Sequence, residues 1–182
     1  MRVATLVAAS MVLVCSIAAA QTDEISLYSD QRYENCELVD NGSGLAYVYV
    51  VHHVSSGAIS SQFMLQESSG SALSYLGHDS EFPLVIGDPL TGMAVSYGKC
   101  LNSDVLLTVL SYFKSGSSDD CSYLQIVPDP TTFNEWITVI DCFQSRLEAS
   151  GSRLVINPDG SCACGPTTEI TNWGRIKDRF RD

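Results

Sequence analysis

The amino-acid sequence predicts a mainly-β fold: an eight-stranded antiparallel up-and-down β-barrel with one C-terminal α-helix packed outside and a short final strand. Short runs of β-branched and aromatic residues, separated by turn residues, follow one another from about residue 36 to residue 127. One helical pattern comes after them, between Thr132 and Ser150. The short connections favour antiparallel neighbours, and eight such strands can close into a barrel that holds one small ligand. Two packed sheets would show similar strand spacing, so closure into a barrel is an inference.

The first twenty residues have the pattern of a secretory signal peptide. Arg2 supplies the positive end, Val3–Ile17 the apolar stretch, and Ala18–Ala20 a small-residue cleavage site. The apolar stretch is short for a membrane span, which needs about 20 apolar residues. We therefore expect a signal peptide at 1–20, a secreted barrel domain at 21–164, and a C-terminal tail at 165–182.

The strand candidates come first along the secreted domain. In order, they are 36–39, 45–54, 59–67, 72–76, 82–86, 93–101, 105–113 and 121–127, with one more at 153–156 after the helix. The strongest is Leu45–Val54, which is dominated by β-branched and aromatic residues and follows the turn-forming residues Asn41–Gly44. Ile59–Glu67 alternates between apolar and polar residues, as expected for a half-buried strand.

Several signals predict the helix at 132–150. Thr132 and Glu135 have the spacing of a capping box, and Gly151 stands where a left-handed C-terminal cap would be needed. The apolar residues recur at helical spacing on one face: Phe133, Trp136, Ile137, Ile140, Phe143 and Leu147.

Six cysteines remain once Cys15 leaves with the signal peptide. They are Cys36, Cys100, Cys121, Cys142, Cys162 and Cys164. An even number of cysteines in an exported chain predicts disulfide bonds, and six cysteines allow 15 pairings that sequence alone does not distinguish. A zinc site is the alternative, but only one residue lies between Cys162 and Cys164, whereas paired zinc ligands usually have two to four residues between them.

The chain is acidic, with a formal net charge of −11. This charge opposes binding to nucleic acid or to anionic membranes, both of which require positive groups that neutralise phosphates. It is compatible with a cationic partner, or simply with solubility. The sequence also contains no glycine-rich phosphate loop. We expect neither a cofactor nor a metal.

The layout and the cysteine positions resemble those of lipocalins, in particular the salivary lipocalins of ticks and other blood-feeding arthropods. Tyr97-Gly98-Lys99-Cys100 resembles a Tyr-x-x-Cys element late in that barrel, and Cys121-Ser122-Tyr123-Leu124 resembles the Cys-x-x-Leu strand that follows. The resemblance implies a Cys100–Cys121 disulfide between neighbouring strands and a bond from Cys36 to the helix or tail. It also implies a ligand of the class of histamine, serotonin or leukotrienes.

Strand aromatics are the expected wall of a hollow barrel, because tyrosine offers both apolar area and an orienting hydroxyl. These candidate ligand-binding residues are Tyr47, Tyr49, Phe63, Tyr97 and Tyr123. An amine ligand would also need a carboxylate, for which Glu67, Asp79 and Asp104 are candidates. Asn41-Gly42-Ser43 is a glycosylation sequon in a predicted turn, so we expect Asn41 to be modified.

These features favour a secreted, non-enzymatic protein that sequesters a small hydrophobic or amine ligand in a barrel cavity. The alternative is a disulfide-stabilised protein-interaction module, such as an inhibitor of a host protease or complement factor, acting through the loops Ser115–Asp120 and Ser55–Gly57. A third hypothesis, a hydrolase that uses His78-Asp79-Ser80, has weak support because neighbours in sequence do not make a catalytic triad. His52 and His53 should point to opposite faces of a strand and cannot share a metal.

Overall fold

The computed structural model describes residues 22–132 and 136–166, and these residues contain twelve β-strands and no α-helix. The strands are β1 Glu24–Tyr28, β2 Glu37–Leu38, β3 Gly44–His53, β4 Ala58–Glu67, β5 Leu73–Asp79, β6 Leu84–Asp88, β7 Gly92–Leu101, β8 Val105–Lys114, β9 Ser122–Val127, β10 Ile137–Asp141, β11 Arg146–Ile156 and β12 Gly165–Pro166. The predicted signal peptide and residues 167–182 of the predicted tail lie outside the described residues.

The strands form a two-layer β-sandwich. The first layer has the strand order β5-β8-β3-β1, and the second has the order β6-β7-β4-β10 with β9 also paired to β4. β3 and β4 follow one another along the chain but lie in different layers, and β1 runs parallel to β11. The predicted up-and-down barrel is therefore wrong, because its strands would each pair with the next one along the chain.

The long strand β11 connects the two layers. Its first part, up to Ala149, pairs with β10, and its last part, from Arg153, pairs with β9. Between these parts, Ser150 and Gly151 pair in parallel with β1 of the first layer. Gly151 is buried there, and a Cβ at this position would collide with the Ile126 carbonyl oxygen. The glycine is therefore needed for close backbone approach rather than as a helix cap.

The predicted helix at 132–150 is wrong wherever the structure describes this segment. Ile137 and Val139 alternate with their neighbours and point into the core as residues of β10. Asp141 then closes a hairpin, because its Oδ1 accepts hydrogen bonds from the Phe143 and Ser145 amides at 2.8 and 2.7 Å. Gln144 adopts a left-handed φ of 66° in that turn. The β-branched run Ile137–Ile140 suits a strand, and tertiary pairing overrides the helical spacing.

The space between the layers is filled by the inward-facing side chains. Phe63 and Leu65 of β4 and Met93 and Val95 of β7 pack against Val48 and other residues of the first layer. These side chains are at most 2 % exposed. The apolar residues thus form one continuous core and not the wall of a hollow barrel.

The six cysteines in the described part of the chain form disulfides, which confirms the prediction of disulfide bonds. The pairs are Cys36–Cys164, Cys100–Cys142 and Cys121–Cys162. The Cys100–Cys121 bond implied by the lipocalin resemblance is wrong. Cys100 lies at the end of β7 and bonds instead to the turn after β10, so this disulfide ties two strands of the second layer together at one end. Three disulfides are typical of a protein folded in an oxidising compartment.

We predict that Gly151→Ala destabilises the protein by about 1–3 kcal/mol, because the added methyl group overlaps the Ile126 carbonyl and forces β11 away from β9. Urea unfolding followed by tryptophan fluorescence measures the change. The matched control is Gly116→Ala, where a Cβ meets nothing within 4 Å, and we expect it to remain within about 0.5 kcal/mol of the wild type. Equal stability of the two variants would contradict the role given to Gly151.

Candidate functional site

The five aromatic residues predicted to bind a ligand do not converge on a cavity. Phe63 and Tyr97 are buried in the core between the layers. Tyr47 and Tyr49 lie on the outer face of the first layer, and Tyr123 packs under the Arg153 guanidinium, 4.2 Å from its ring centre. The ligand-lined barrel cavity is therefore wrong, because the protein's own side chains fill the interior.

A groove of about 300 Å³ lies on the outer face of the second layer. We call it the β6–β10 groove, since it crosses β6, β7, β4 and β10. Most of its side chains come from two adjacent cross-strand rows, and Thr131 and Thr132 also border it. One row is Leu84, Ser96, Ser60, Ile140 and Arg146; the other is Ile86, Ala94, Gln62 and Thr138.

Strand alternation explains the shape of this groove. In β7 the large residues Met93, Val95 and Tyr97 face the core, so the small residues Ala94 and Ser96 face outward. Together with Ser60 they make a low floor. On the edge strand β6, the outward residues Leu84 and Ile86 are 52 % and 61 % exposed and form an apolar wall.

Polar groups on the opposite side of the groove are held in fixed positions. Asp129 is buried and accepts hydrogen bonds from the Gln62 amide at 2.7 Å and from the Thr131 backbone amide at 2.8 Å. Burial acts to raise the pKa of Asp129, but the hydrogen bonds from Thr131 and Gln62 outweigh it and keep that pKa below its usual value. Gln62 and Thr131 are thereby oriented at the groove, and Arg146 supplies a cation at one end.

A buried polar cluster lies behind the groove floor. His52 is fully buried, with Nδ1 2.8 Å from the Tyr97 hydroxyl and Nε2 3.4 Å from a carboxylate oxygen of Asp23. Tyr97 follows Ser96 of the groove floor, and its ring packs 5.0 Å from the ring of Phe82, just before β6. Burial lowers the pKa of His52, and the Asp23 carboxylate offsets only part of that effect.

The neighbouring histidine points the other way, as strand alternation predicts. His53 lies on the outer face, where Nε2 is 2.8 Å from the Tyr28 hydroxyl and Nδ1 is 2.7 Å from Asp104. The candidate carboxylate Asp104 thus belongs to a surface hydrogen-bond chain. Asp79 is exposed on β5, and Glu67 is half-buried with its pKa raised by burial.

The His78-Asp79-Ser80 segment does not form a hydrogen-bonded triad. His78 Nδ1 lies 2.7 Å from the Tyr75 hydroxyl, and Ser80 donates its hydroxyl to the Leu107 carbonyl at 2.6 Å. The predicted interaction loop Ser115–Asp120 is also tied into the body of the protein. The buried carboxylate of Asp40 accepts a hydrogen bond from the Ser118 amide at 3.0 Å.

Two further predicted sites have clear positions. Asn41 is exposed before β3, and its glycosylation stays a prediction. Among the described residues, Cys121, Asp159 and Cys162 are the one group with metal-like spacing, but its two sulfurs are joined in a disulfide.

No helix in the described part of the chain is long and apolar enough to cross a membrane.

Comparison with solved structures identifies the fold. The chain is similar to a cohesin module from a Clostridium perfringens family 33 glycoside hydrolase, with a TM-score of 0.52 and 14% identity over 76% of this chain and 98% of that one. It is also similar to a type II cohesin domain from the cellulosome of Acetivibrio cellulolyticus, with a TM-score of 0.53 and 11% identity over 75% and 96% of the two chains.

A third similar structure is a non-cellulosomal cohesin from the archaeon Archaeoglobus fulgidus, with a TM-score of 0.51 and 9% identity over 75% of this chain and 91% of that one. No protein-family model and no curated protein matches the sequence. The fold is thus cohesin-like, and the lipocalin resemblance is wrong. At these identities the likeness concerns the fold alone.

Sequence reasoning missed the groove for an identifiable reason. Leu84 and Ile86 belong to the apolar run 82–86, which overlaps the first part of β6 (Leu84–Asp88) but was not predicted to be an exposed edge strand. The sequence pattern assigns Ile140 to the predicted helix at 132–150, whereas the structure places it in β10. One sequence pattern could have indicated the groove floor: in β7, small residues alternate with the large residues Met93, Val95 and Tyr97.

We predict that His52 makes folding stability fall with acidity. The unfolded chain binds a proton at His52 near its ordinary pKa of about 6.5, whereas the folded chain does so only at lower pH, so stability declines as pH falls below about 6.5. In His52→Gln this decline between about pH 7 and pH 5 should be smaller than in the wild type.

Urea unfolding at several pH values measures this difference. The control is His53→Gln, which removes the neighbouring imidazole on the solvent side and leaves His52 in place. The prediction fails if His52→Gln shows the same acid sensitivity as the wild type.

Proposed function

We propose that the protein is an exported, non-catalytic interaction module that binds an apolar segment of another protein in the β6–β10 groove. The small-molecule carrier hypothesis is not retained, because the interior is solid. The proposed partner is a protein, as in the alternative hypothesis, but the binding surface is a sheet face and not the loops Ser115–Asp120 and Ser55–Gly57.

The observation that carries this proposal is the exposure of Leu84 and Ile86 beside a floor of small residues. Exposed apolar side chains that border a depression are typical of binding surfaces. Fully burying a leucine or isoleucine is worth about 1.5–3 kcal/mol, so covering these two half-exposed residues contributes on the order of 2 kcal/mol. The wall formed by Leu84 and Ile86 can therefore supply the central contact of a weak interface.

The shape and charge of the groove indicate which kind of protein segment it can bind. A volume of about 300 Å³ fits one or two bulky apolar side chains and not a folded domain. Arg146, at one end of the row that contains Leu84, favours a carboxylate or a backbone carbonyl beside the apolar group. We infer a partner segment with one or two large apolar side chains and a neighbouring acidic residue.

The fold comparison supports a modular role. The similar structures are described as a module of a glycoside hydrolase and as a domain of the cellulosome. The disulfides and the predicted signal peptide support secretion as the location of this role.

The test is binding to secreted proteins of the organism that makes this chain. We expect the immobilised protein to retain at least one such protein, and Ile86→Glu to lose it, since a carboxylate in the wall opposes burial. The matched control is Val39→Glu, an equally exposed apolar residue outside the groove, which should bind as the wild type does.

Calorimetry with the purified partner then gives the affinity. We expect Ile86→Glu to weaken binding by about tenfold or more, with unfolding temperature unchanged because the side chain is exposed. Binding that is equally sensitive to Val39→Glu, or insensitive to both substitutions, contradicts the groove as the binding site.

A further inference from the structure

A second apolar surface lies on the opposite side of the sandwich. It is the outer face of the first layer, which we call the tyrosine face, formed by the outward residues of β3 and β8: Leu45, Tyr47, Tyr49, Val109, Ser111 and Phe113. Leu45, Tyr47 and Phe113 are 57 %, 45 % and 41 % exposed. This face lies outside the β6–β10 groove and has no part in the function proposed above.

None of the six residues of the tyrosine face is charged, although the chain as a whole has a net charge of −11. The acidic residue Asp79 of β5 pairs with Val109 and lies at the edge of this face. Interface centres are typically depleted in charge and enriched in aromatic residues. Two copies of an acidic protein repel one another over most of their surfaces. They can meet with the least repulsion where the surface is neutral and apolar.

The cross-strand register makes this face complementary to itself. Leu45 lies opposite Phe113, Tyr47 opposite Ser111, and Tyr49 opposite Val109. A two-fold axis that runs parallel to the strands, midway between β3 and β8, exchanges the two members of each pair. Tyr47 of one copy then lies over Ser111 of the other, so the largest side chain of the central row meets the smallest.

The neighbouring strand widens the recess that receives Tyr47. Gly77 of β5 pairs with Ser111, and a Cβ at Gly77 would meet nothing within 4 Å. Ser111 and Gly77 therefore form a depression beside the ridge made by Tyr47. Sheets that pack face to face keep their strands roughly aligned, which is compatible with this axis.

We propose that two copies of this chain associate face to face through the tyrosine face, by a two-fold axis between β3 and β8. In this layer β3 and β8 have ten residues each, β5 has seven and β1 has five. At about 3.3 Å per residue and about 4.8 Å between strands, they give a face of about 500 Å². Two such faces bury about 1,000 Å², which is near the smallest area expected of a specific protein interface. The dimer is therefore weak and depends on concentration.

Sedimentation velocity of the full disulfide-bonded chain tests this association. Between about 1 µM and about 500 µM the mass should rise from one chain to two, and higher salt should favour the dimer by screening the repulsion between acidic copies. A monomer at all concentrations, or a dimer that salt dissociates, overturns the proposal.

Two single substitutions test the position of the axis. Tyr47→Glu and Ser111→Lys should each raise the dimer dissociation constant by at least about tenfold, because each places a charge in the apolar contact. When the two variants are mixed, Glu at position 47 of one chain faces Lys at position 111 of the other. Heterodimers should therefore form where neither variant dimerises alone, and failure of the mixture to associate overturns the axis.

Ile86→Glu separates this inference from the proposed function. It should leave self-association unchanged, whereas Tyr47→Glu should leave binding in the β6–β10 groove unchanged at concentrations where the chain is monomeric. A dimer that is lost in Ile86→Glu and kept in Tyr47→Glu places the contact on the groove and overturns the proposal. Unfolding temperatures of the variants exclude misfolding as the cause.

Discussion

The structure depends on the passage of β11 across the sandwich. β11 pairs with β10 and β9 of the second layer and, at Ser150 and Gly151, with β1 of the first. Hydrogen bonds therefore run continuously from one layer into the other. The crossing requires a residue without a Cβ, because the Ile126 carbonyl approaches the backbone at Gly151. A side-chain contact stabilises this junction, because Ser152 Oγ accepts a hydrogen bond from the Leu27 amide of β1 at 2.8 Å.

This constraint determines which residues are available for function. Once two layers are joined face to face, alternation assigns every second residue of each strand to the core. The inward rows hold Phe63, Met93 and Leu110, and what remains for binding is the set of outward rows. The apolar members of those rows, including Leu84, Ile86 and Leu45, contribute little to the core. The two binding surfaces proposed above rest on these exposed apolar residues.

The sequence allowed most strand positions to be predicted but not their arrangement. The predicted strands 59–67, 93–101 and 105–113 agree closely with β4, β7 and β8. Local propensity and alternation depend on each segment alone and are the same in a barrel and in a sandwich. The choice between them depends on long-range pairing, such as β3 with β8 and β4 with β7, which no local pattern encodes.

The error at 132–150 has a different physical cause. Ile137, Ile140 and Phe143 happen to recur at helical spacing, but the hairpin turn held by Asp141 interrupts the segment. The sequence does mark Gly151 as a position that requires glycine. The physical reason is the close approach of the Ile126 carbonyl and not a helix cap. The β6–β10 groove was not predicted because its wall and floor come from separate strands and meet only through the register Leu84–Ser96 and Ser60–Ser96.

The two outer faces together determine how the module would work as an assembly. In a face-to-face dimer, four sheet layers stack at about 10 Å each, so the two β6–β10 grooves lie about 30 Å apart and face in opposite directions. A single short segment cannot reach both grooves. The dimer would therefore join two partner molecules, or bind one partner that has two binding segments separated by a long linker. In the second case, the effective concentration set by that linker would raise the affinity. A groove of modest intrinsic affinity is then sufficient, because the second contact strengthens the first.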